Sequence, residues 1–461
     1  MLKIYLDWNV ITHLKEDKYN SSRNFILANK EYFIFPYSVA HLQDLLVSRT
    51  PNNVYYEQDL NMLTELCQHH FLEHEPNSNS PYPYKCYPKE YLETKDVDVE
   101  WFNSGFTKDS FLKCIKSKGG DPIAFMSILE KAQVTPFNIP FIDRVVCNLA
   151  DIFNVLFDYG HIVFNSVELP KQVKEFVQST TDSLLYKRIQ GSQSHDVFTN
   201  LNEATLPQTN KTFTEIIESS VADRSKSNLE LFTSLYLALN FSGFYSDKNR
   251  NLQNIYTDSE HAYYASACDI FVSNDSRLRE KASAIYKTYN IPTKVIDLNE
   301  LIDIMQEELS RAYDLEYMFN EILPKYGNPC RSEGENDVYK QLPFCFLGLF
   351  NFCLKANYPN ANNITGIFRI VVPERGYVFY TELERFFNLL LGILPEAHQK
   401  QKFQEEFIDK FLTGQKELIK TAVFSFEDSS CQLSVLADEF SQYPLPILYL
   451  TVNPSTSCPT N

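Results

Sequence analysis

Four aspartates from distant parts of the chain are the residues best suited to act together in chemistry. They are Asp7, Asp44, Asp258 and Asp275. Carboxylates gathered at one place repel one another, and a hard divalent cation relieves that repulsion. Oxygen ligands of this kind suit Mg²⁺ or Mn²⁺, which bind phosphate oxygens in their open positions. The chemistry expected of the four aspartates is therefore attack of a metal-bound water on phosphorus.

Two of the aspartates follow segments that have the length and apolar character of buried strands. Asp7 comes directly after Leu2–Leu6, and Asp275 follows Asp269–Val272 with two polar residues between them. Such a strand cannot continue into the polar residues without burying charge. In an open α/β sheet, ligands bind beyond the carboxyl ends of the strands. Both aspartates are therefore predicted at one edge of a sheet.

The other two aspartates lie in segments with helical patterns. Apolar residues at helical spacing surround Asp44. Thr257 and Glu260 have the spacing of a capping box, which predicts Asp258 at the first position of a second helix. Glu260 is interpreted as the capping partner. His261 is interpreted as a packed or solvent-facing residue, because hydrolysis at a metal site needs no imidazole.

Strand and helix patterns alternate around these residues. The remaining predicted elements are a strand at Glu31–Pro36, helices at Asn228–Phe241 and Arg277–Tyr289, and a strand at Thr293–Asp297. The helix Asn228–Phe241 is apolar nearly all round, so we expect it to be buried. The alternation predicts an α/β fold with a mainly parallel sheet and right-handed crossovers.

Residues 51–221 interrupt this pattern and are predicted to form a helical insertion. They include a helical pattern at Arg144–Tyr159 and a polar, linker-like stretch at Gln190–Lys211. Three histidines at near-helical spacing are a minor candidate zinc site, because no cysteine or acid clearly joins them. They are His69, His70 and His74.

Residues 299–461 are predicted to form a smaller α+β domain. A helical pattern at Asn299–Leu323 leads into it, and Gly366–Val372 with Tyr377–Thr381 has the pattern of a hairpin. This segment contains no recognisable catalytic motif. Its role is not predicted.

The net charge of the chain limits how it could bind nucleic acid. A formal charge of −17 over 461 residues argues against a general coating of nucleic acid, which needs a broad basic surface. A local basic patch remains compatible with that charge, and the helix that follows Asp275 offers one. The candidate phosphate-contacting residues are Arg277, Arg279, Lys281 and Lys287.

Cysteine usage and hydropathy indicate the compartment. The ten cysteines are scattered singly, which favours free thiols in a reducing environment. The most apolar run, Pro343–Leu354, is well short of the roughly 20 residues that span a bilayer. Asp7 comes too early for a secretory signal peptide. We expect a cytoplasmic protein with no membrane partner.

At three places the sequence resembles PIN domains. Leu6–Ile11, with Asp7 and Asn9, is similar to the opening motif of that family. Ser38–Leu46 resembles its second acidic helix, and Asp258–Asp275 matches its third and fourth acids in order. The similarity covers residues 1–50 and 222–298, which would form one discontinuous PIN-like domain.

The resemblance implies a fold, a cofactor and an activity. The fold would be a three-layer α/β/α arrangement, and the activity the Mg²⁺- or Mn²⁺-dependent endonucleolytic cleavage of single-stranded RNA, less often DNA. The metal ligands would be Asp7, Asp44, Asp258 and Asp275, with Asn9, Ser273 and Asn274 orienting them. A toxin or phage-defence effector would suit such an activity. The insertion or the C-terminal domain would then bind a regulatory partner or a second copy of the chain.

Two other classes stay open. Phosphoaspartyl enzymes also place acids at strand ends, but the haloacid-dehalogenase type needs an acid two positions after Asp7, where this chain has Asn9. A catalytically inactive PIN-like scaffold that binds a protein or RNA partner is the second alternative. The presence of all four acids argues against the scaffold without excluding it.

Overall fold

A computed structural model describes most of the first three hundred residues of the chain. The described residues are 1–47, 55–74, 80–94, 183–222, 228–247 and 250–312, together with separate strands and individual residues between 123 and 178 and between 340 and 454. No helix in these residues is both long enough and apolar enough to cross a membrane.

The elements are numbered in chain order. The strands are β1 Ile4–Leu6, β2 Tyr37–Ser38, β3 His70–Glu73, β4 Tyr82–Lys85, β5 Gln133–Ile139, β6 Arg144–Asn148, β7 Ile270–Val272, β8 Lys294–Ile296, β9 Lys340–Phe346, β10 Phe350–Ala356, β11 Ile364–Phe368, β12 Phe424–Glu427, β13 Cys431–Asp438 and β14 Ile447–Pro454. The helices are α1 Trp8–His13, α2 Asn20–Asn29, α3 Val39–Val47, α4 Tyr55–Cys67, α5 Pro88–Thr94, α6 Ser183–Gln190, α7 Val197–Thr209, α8 Phe213–Ala222, α9 Asn228–Phe241, α10 Leu252–Ala265, α11 Ser276–Thr288 and α12 Leu298–Ala312.

A parallel sheet with the order β1-β7-β8 positions the candidate site. Leu6 pairs with Val272, which pairs in turn with Ile296, so the carboxyl ends of all three strands lie at the same edge. Each of β1 and β7 is an apolar, fully buried triplet. The predicted α/β class with a parallel sheet is confirmed for this part of the chain.

Helices cover both faces of this sheet. Tyr5 and Phe271 point into an apolar cluster built largely from α9, α10 and α11. Their neighbours Ile4, Leu6 and Ile270 point into a second cluster, which residues of α1, α3, α4 and α12 complete. Successive side chains of a strand point to opposite faces of the sheet, and both faces are buried here. Alternate residues of the strands therefore belong to two different cores.

A second sheet continues the first through residues 34–38. A parallel bridge joins Lys3 to Ile34, and β2 pairs in parallel with β3, which pairs antiparallel with β4. The predicted strand Glu31–Pro36 is wrong in its bounds. Lys30–Tyr32 forms a 3₁₀ turn instead, and Pro36 has no N–H for a continuous ladder.

The segment 51–221 is not purely helical. It contains β3 to β6, and Arg144–Asn148 is a strand where a helix was predicted. His70 lies in β3, so the histidines of this region do not share a helix. The stretch Gln190–Lys211, predicted as a linker, contains α7, which Asn210 ends in a left-handed conformation.

Strands between residues 340 and 454 form a six-stranded antiparallel sheet with the order β12-β13-β14-β11-β10-β9. Its β11 overlaps the predicted strand Gly366–Val372, whereas Tyr377–Thr381 lies outside the described residues. Arg385 is buried and donates to the backbone carbonyl of Phe33 and to Gln68, which places this part of the chain against the segment before β2.

Candidate functional site

Asp7 and Asp275 lie at the carboxyl ends of neighbouring strands, as the sequence predicts. The amide of Asp7 donates to the carbonyl of Val272 at 2.9 Å, so the first aspartate is held against the end of β7. Asp275 caps α11, and its Oδ1 accepts from the amides of Arg277 at 2.8 Å and Leu278 at 3.4 Å. Capping fixes one oxygen of this carboxylate and leaves Oδ2 for other partners.

A hydroxyl and an amide hold the Asp7 carboxylate. Ser273 Oγ donates to Asp7 Oδ2 at 2.8 Å and accepts from the amide of Asp275 at 3.1 Å. Asn9 Nδ2 donates to the same oxygen of Asp7, and Asn9 Oδ1 accepts from the amide of Asn274 at 3.2 Å. These contacts are those expected of orienting residues at Asn9 and Ser273.

Asn274 contributes through its backbone and not through a side-chain contact to an acid. Its Nδ2 lies 3.0 Å from Nδ1 of His13 in α1, and its Oδ1 accepts from the amide of Leu298 at 3.4 Å. The side chain therefore ties the end of β7 to α1 and α12. Asn274 acts on the Asp7 carboxylate indirectly, because its backbone amide donates to Asn9, and Asn9 in turn donates to Asp7.

Asp44 lies on α3, as predicted, and it meets a histidine from α10. Nε2 of His261 lies 2.9 Å from Asp44 Oδ2 and 3.9 Å from Asp7 Oδ1. His261 is fully buried. Burial lowers the pKa of its imidazole, but the hydrogen bond to Asp44 and the charges of Asp7 and Asp44 outweigh that effect and raise the pKa. The burial of His261 agrees with its interpretation as a packed residue, but the sequence does not predict its hydrogen bond to Asp44.

Asp258 lies past the first turn of α10 and not at the start of the helix. Asn251 caps this helix by accepting from the amide of Asn254, so the capping box predicted from Thr257 and Glu260 is not used. Glu260 is buried instead, and burial raises the pKa of its carboxyl to about 7. Helical geometry still brings Asp258 to the site, because its carboxylate contacts Arg250.

Arg250 connects two of the four acids. Its guanidinium contacts Asp258 Oδ2 and lies 2.9 Å from Asp275 Oδ2. Burial raises the pKa of Asp258 to about 7, and Asp7 adds to the shift although Arg250 opposes it. Burial likewise raises the pKa of Asp7, with Asp44 contributing. Burial is thus the main reason why both of these carboxyls resist ionisation.

Lys281 does not lie on a nucleic-acid-binding surface. Its side chain is fully buried, and Nζ lies 2.7 Å from Asp247 Oδ2, 3.1 Å from Asn240 Oδ1 and 4.5 Å from the ring centre of Tyr236. The basic-patch prediction is wrong for this residue, because Lys281 faces the core side of α11, where α9 packs.

The other basic residues of α11 do not form one patch. Arg277 is exposed, and Arg279 donates to the backbone carbonyl of Ser273 at 2.6 Å. Lys287 is also exposed but lies in the last turn of the helix, about 15 Å along the axis from Arg277 at 1.5 Å per residue. Arg277 is thus the member placed to meet a phosphate near Asp275.

The four acids fall into two pairs, each joined by a basic side chain. His261 bridges Asp44 and Asp7, whereas Arg250 bridges Asp258 and Asp275. In the described part of the chain, no group of three or more His, Cys, Asp or Glu side chains has a geometry that would hold a metal ion. The donor chemistry still fits Mg²⁺ or Mn²⁺, because all four side chains offer hard carboxylate oxygens.

Sequence reasoning missed three residues of the site, namely His261, Arg250 and Asp247. His261 follows Asp258 by three positions, a spacing that puts both on one side of a helix, so that signal was available. Arg250 precedes α10 and Asp247 follows α9 in connecting segments. No periodic pattern marks such positions.

Comparisons of the chain with protein-family models, with curated proteins and with solved structures found no match.

Proposed function

We propose that this chain is a metal-dependent endonuclease that hydrolyses phosphodiester bonds in single-stranded nucleic acid, with RNA as the favoured substrate. The observation that carries the proposal is that Asp7 and Asp275 follow the carboxyl ends of neighbouring parallel strands, where His261 links Asp7 to Asp44 and Arg250 links Asp275 to Asp258. The preference for RNA rests on the resemblance to PIN domains. A PIN-like α/β/α core, an insertion at 51–221 and a C-terminal domain at 299–461 belong to the same proposal.

In this proposal the four aspartates hold Mg²⁺ or Mn²⁺. When bound, the cations would supply electrophilic stabilisation of the charge that develops on the phosphate oxygens. Ser273 and Asn9 both engage Oδ2 of Asp7, which fixes that carboxylate at the strand end. Arg277, exposed in the first turn of α11, is the residue we assign to substrate phosphate.

One observation favours the inactive scaffold as a second candidate. Arg250 pairs with Asp258 and Asp275, so the chain itself supplies a positive charge to two of the four acids. In a scaffold of this kind, Asp258 and Asp275 would serve to form the salt bridges with Arg250 and would have no catalytic role. The test of the proposed activity must therefore separate a cation-dependent site from a permanent salt bridge.

The test is incubation of the purified full-length chain with labelled single-stranded RNA and DNA in Mn²⁺, in Mg²⁺ or in EDTA. Asp7→Asn and Asp275→Asn are compared with Asp303→Asn, which changes an exposed aspartate on α12. We expect cleavage that needs a divalent cation, is lost in the first two variants and is unchanged in the third. Cleavage that survives Asp7→Asn and Asp275→Asn would reject this site, and absence of cleavage by the wild-type chain would favour the scaffold.

A further inference from the structure

A buried polar network reaches from the sheet interior to the Asp44 carboxylate. It consists of Tyr5 on β1, Ser38 at the end of β2, His41 in the first turn of α3, and His261 on α10. The hydroxyl of Tyr5 lies 2.7 Å from Ser38 Oγ, 2.9 Å from His261 Nδ1 and 3.3 Å from His41 Nδ1. All four side chains are at most 1% exposed. A buried polar network of this kind is costly unless its members are paired, and its members here are paired.

The partners of His41 fix its tautomer. Nε2 of His41 lies 2.7 Å from the carbonyl of Leu6, which accepts, so this nitrogen carries the proton. Nδ1 accepts from the amide of Ser38 at 3.1 Å. His41 is therefore a neutral imidazole held by backbone at both nitrogens. The hydroxyl of Tyr5 and the ring of His261 both pack against this imidazole. The ring centroids of His41 and His261 are 4.7 Å apart.

The orientation of His261 follows from its two partners. Nε2 must donate to Asp44, because a carboxylate accepts, while Nδ1 faces the hydroxyl of Tyr5. In the described part of the chain, the Asp44 carboxylate accepts one hydrogen bond, and this bond comes from His261. The other three acids have further anchors, since Asp7 binds Ser273 and Asp275 caps α11, while Asp258 pairs with Arg250.

We propose that His261 is the positioning residue that holds the Asp44 carboxylate in place for the divalent cation of the proposed nuclease site. The inference rests on the proposed function. Asp44 is on a helix and partly exposed, so without this bond its carboxylate would sample several rotamers. Tyr5, itself fixed by Ser38, holds the imidazole ring in the orientation that aims Nε2 at Asp44. This arrangement resembles the outer-sphere contacts that orient ligands in metal sites.

Mn²⁺ affinity, measured by calorimetry or by electron paramagnetic resonance on the full-length chain, tests this role without relying on turnover. Removing an outer-sphere partner typically costs about 10- to 100-fold in metal affinity. We expect His261→Leu to weaken Mn²⁺ binding by about that factor, and Tyr5→Phe to weaken it by a smaller one. His261→Gln keeps an N–H that can reach Asp44 and should restore most of the affinity.

Tyr37→Phe is the matched control for Tyr5→Phe. Tyr37 is equally buried, but its hydroxyl donates to the carbonyl of Cys86 at 2.8 Å, away from the acids. We expect Tyr37→Phe to leave Mn²⁺ affinity unchanged. Far-ultraviolet circular dichroism and thermal unfolding of each variant separate a lost contact from a lost fold.

The outcomes distinguish this role from the proposed function. Unchanged or tighter Mn²⁺ binding by folded His261→Leu would overturn the positioning role while the nuclease proposal stands. A loss of affinity that His261→Gln does not reverse at all would also overturn it, because a Gln N–H should replace the hydrogen bond. Failure of the wild-type chain to bind Mn²⁺ would overturn the proposed function, and this role with it.

Discussion

The guanidinium of Arg250 lies 2.9 Å from Oδ2 of Asp275, and the same guanidinium also contacts Asp258. Oδ1 of Asp275 is occupied by the first amides of α11. Arg250 therefore supplies positive charge to one oxygen of each of these two carboxylates. A divalent cation and Arg250 would compete for the same two carboxylates.

Replacing Arg250 should expose this competition. We expect Arg250→Gln to lower the free energy of unfolding by about 1 to 2 kcal/mol in EDTA, because two partly buried carboxylates lose a charged hydrogen-bond partner. Saturating Mn²⁺ should recover most of that loss. Chemical denaturation in EDTA and in Mn²⁺ measures both effects. Arg188→Gln, which breaks an exposed ion pair with Glu203, should change stability by less than about 1 kcal/mol in either condition.

Equal stability of Arg250→Gln and the wild-type chain in EDTA would contradict the bridging role. If Mn²⁺ did not reduce the loss of stability in Arg250→Gln, Arg250 and a divalent cation would not bind the same carboxylates.

Asp7 should be needed for stabilisation by metal and not for folding. Its carboxylate is buried, burial raises its pKa, and Asn at this position keeps an oxygen that can accept from Ser273. In EDTA we expect Asp7→Asn to be at least as stable as the wild-type chain. Mn²⁺ at about 100 times its dissociation constant should stabilise the wild-type chain by about 2.7 kcal/mol and the variant by much less. Thermal unfolding with and without Mn²⁺ measures this, and an equal metal-induced shift in both proteins would remove Asp7 from the site.

The sequence predicts the strand ends of this site better than its helices. Asp7 and Asp275 follow short apolar runs that polar residues terminate, and that local pattern determines their positions. The predicted start of α10 at Thr257 is six residues too late, because Thr257 and Glu260 have the spacing of a capping box, whereas the actual cap, Asn251, has no Glu or Gln three positions later. The bond between Tyr5 and His261 joins residues 256 positions apart. No local pattern encodes such a contact, because it depends on how α10 packs against β1.

Glu260 should make the stability of the chain depend on pH. Its ordinary pKa is 4.5, and burial raises the pKa to about 7 in the folded chain. Above the folded pKa the protein must bury an ionised carboxyl, whereas below the unfolded pKa the group is protonated in both states. The ionised Glu260 carboxyl therefore lowers the free energy of unfolding by its full amount above about pH 7. This destabilisation disappears as the pH falls towards about 4.5.

Glu260→Gln removes this cost. We expect the variant to be more stable than the wild-type chain by up to about 3 kcal/mol at about pH 8, and to differ little at about pH 4.5. Denaturation in EDTA across this range measures the difference. Glu65→Gln, at an exposed position on α4, serves as the control and should give no such trend. If the difference in free energy of unfolding between Glu260→Gln and the wild-type chain did not change with pH, ionisation of the Glu260 carboxyl would not destabilise the folded chain.

Lys281 and Asp247 should be energetically coupled beneath the site. Both side chains are buried and lie 2.7 Å apart, and burial lowers the pKa of Lys281 although Asp247 opposes the shift. Lys281→Met leaves the buried Asp247 carboxylate with only the more distant Arg277, 3.9 Å away, and loss of the close partner of a buried pair costs about 3 to 5 kcal/mol. Asp247→Asn in the Lys281→Met background removes the stranded charge and should restore at least half of the loss. Chemical denaturation of the two single variants and the double variant gives the coupling energy directly, and a double variant whose loss equals the sum of the single losses would show that the two residues act independently.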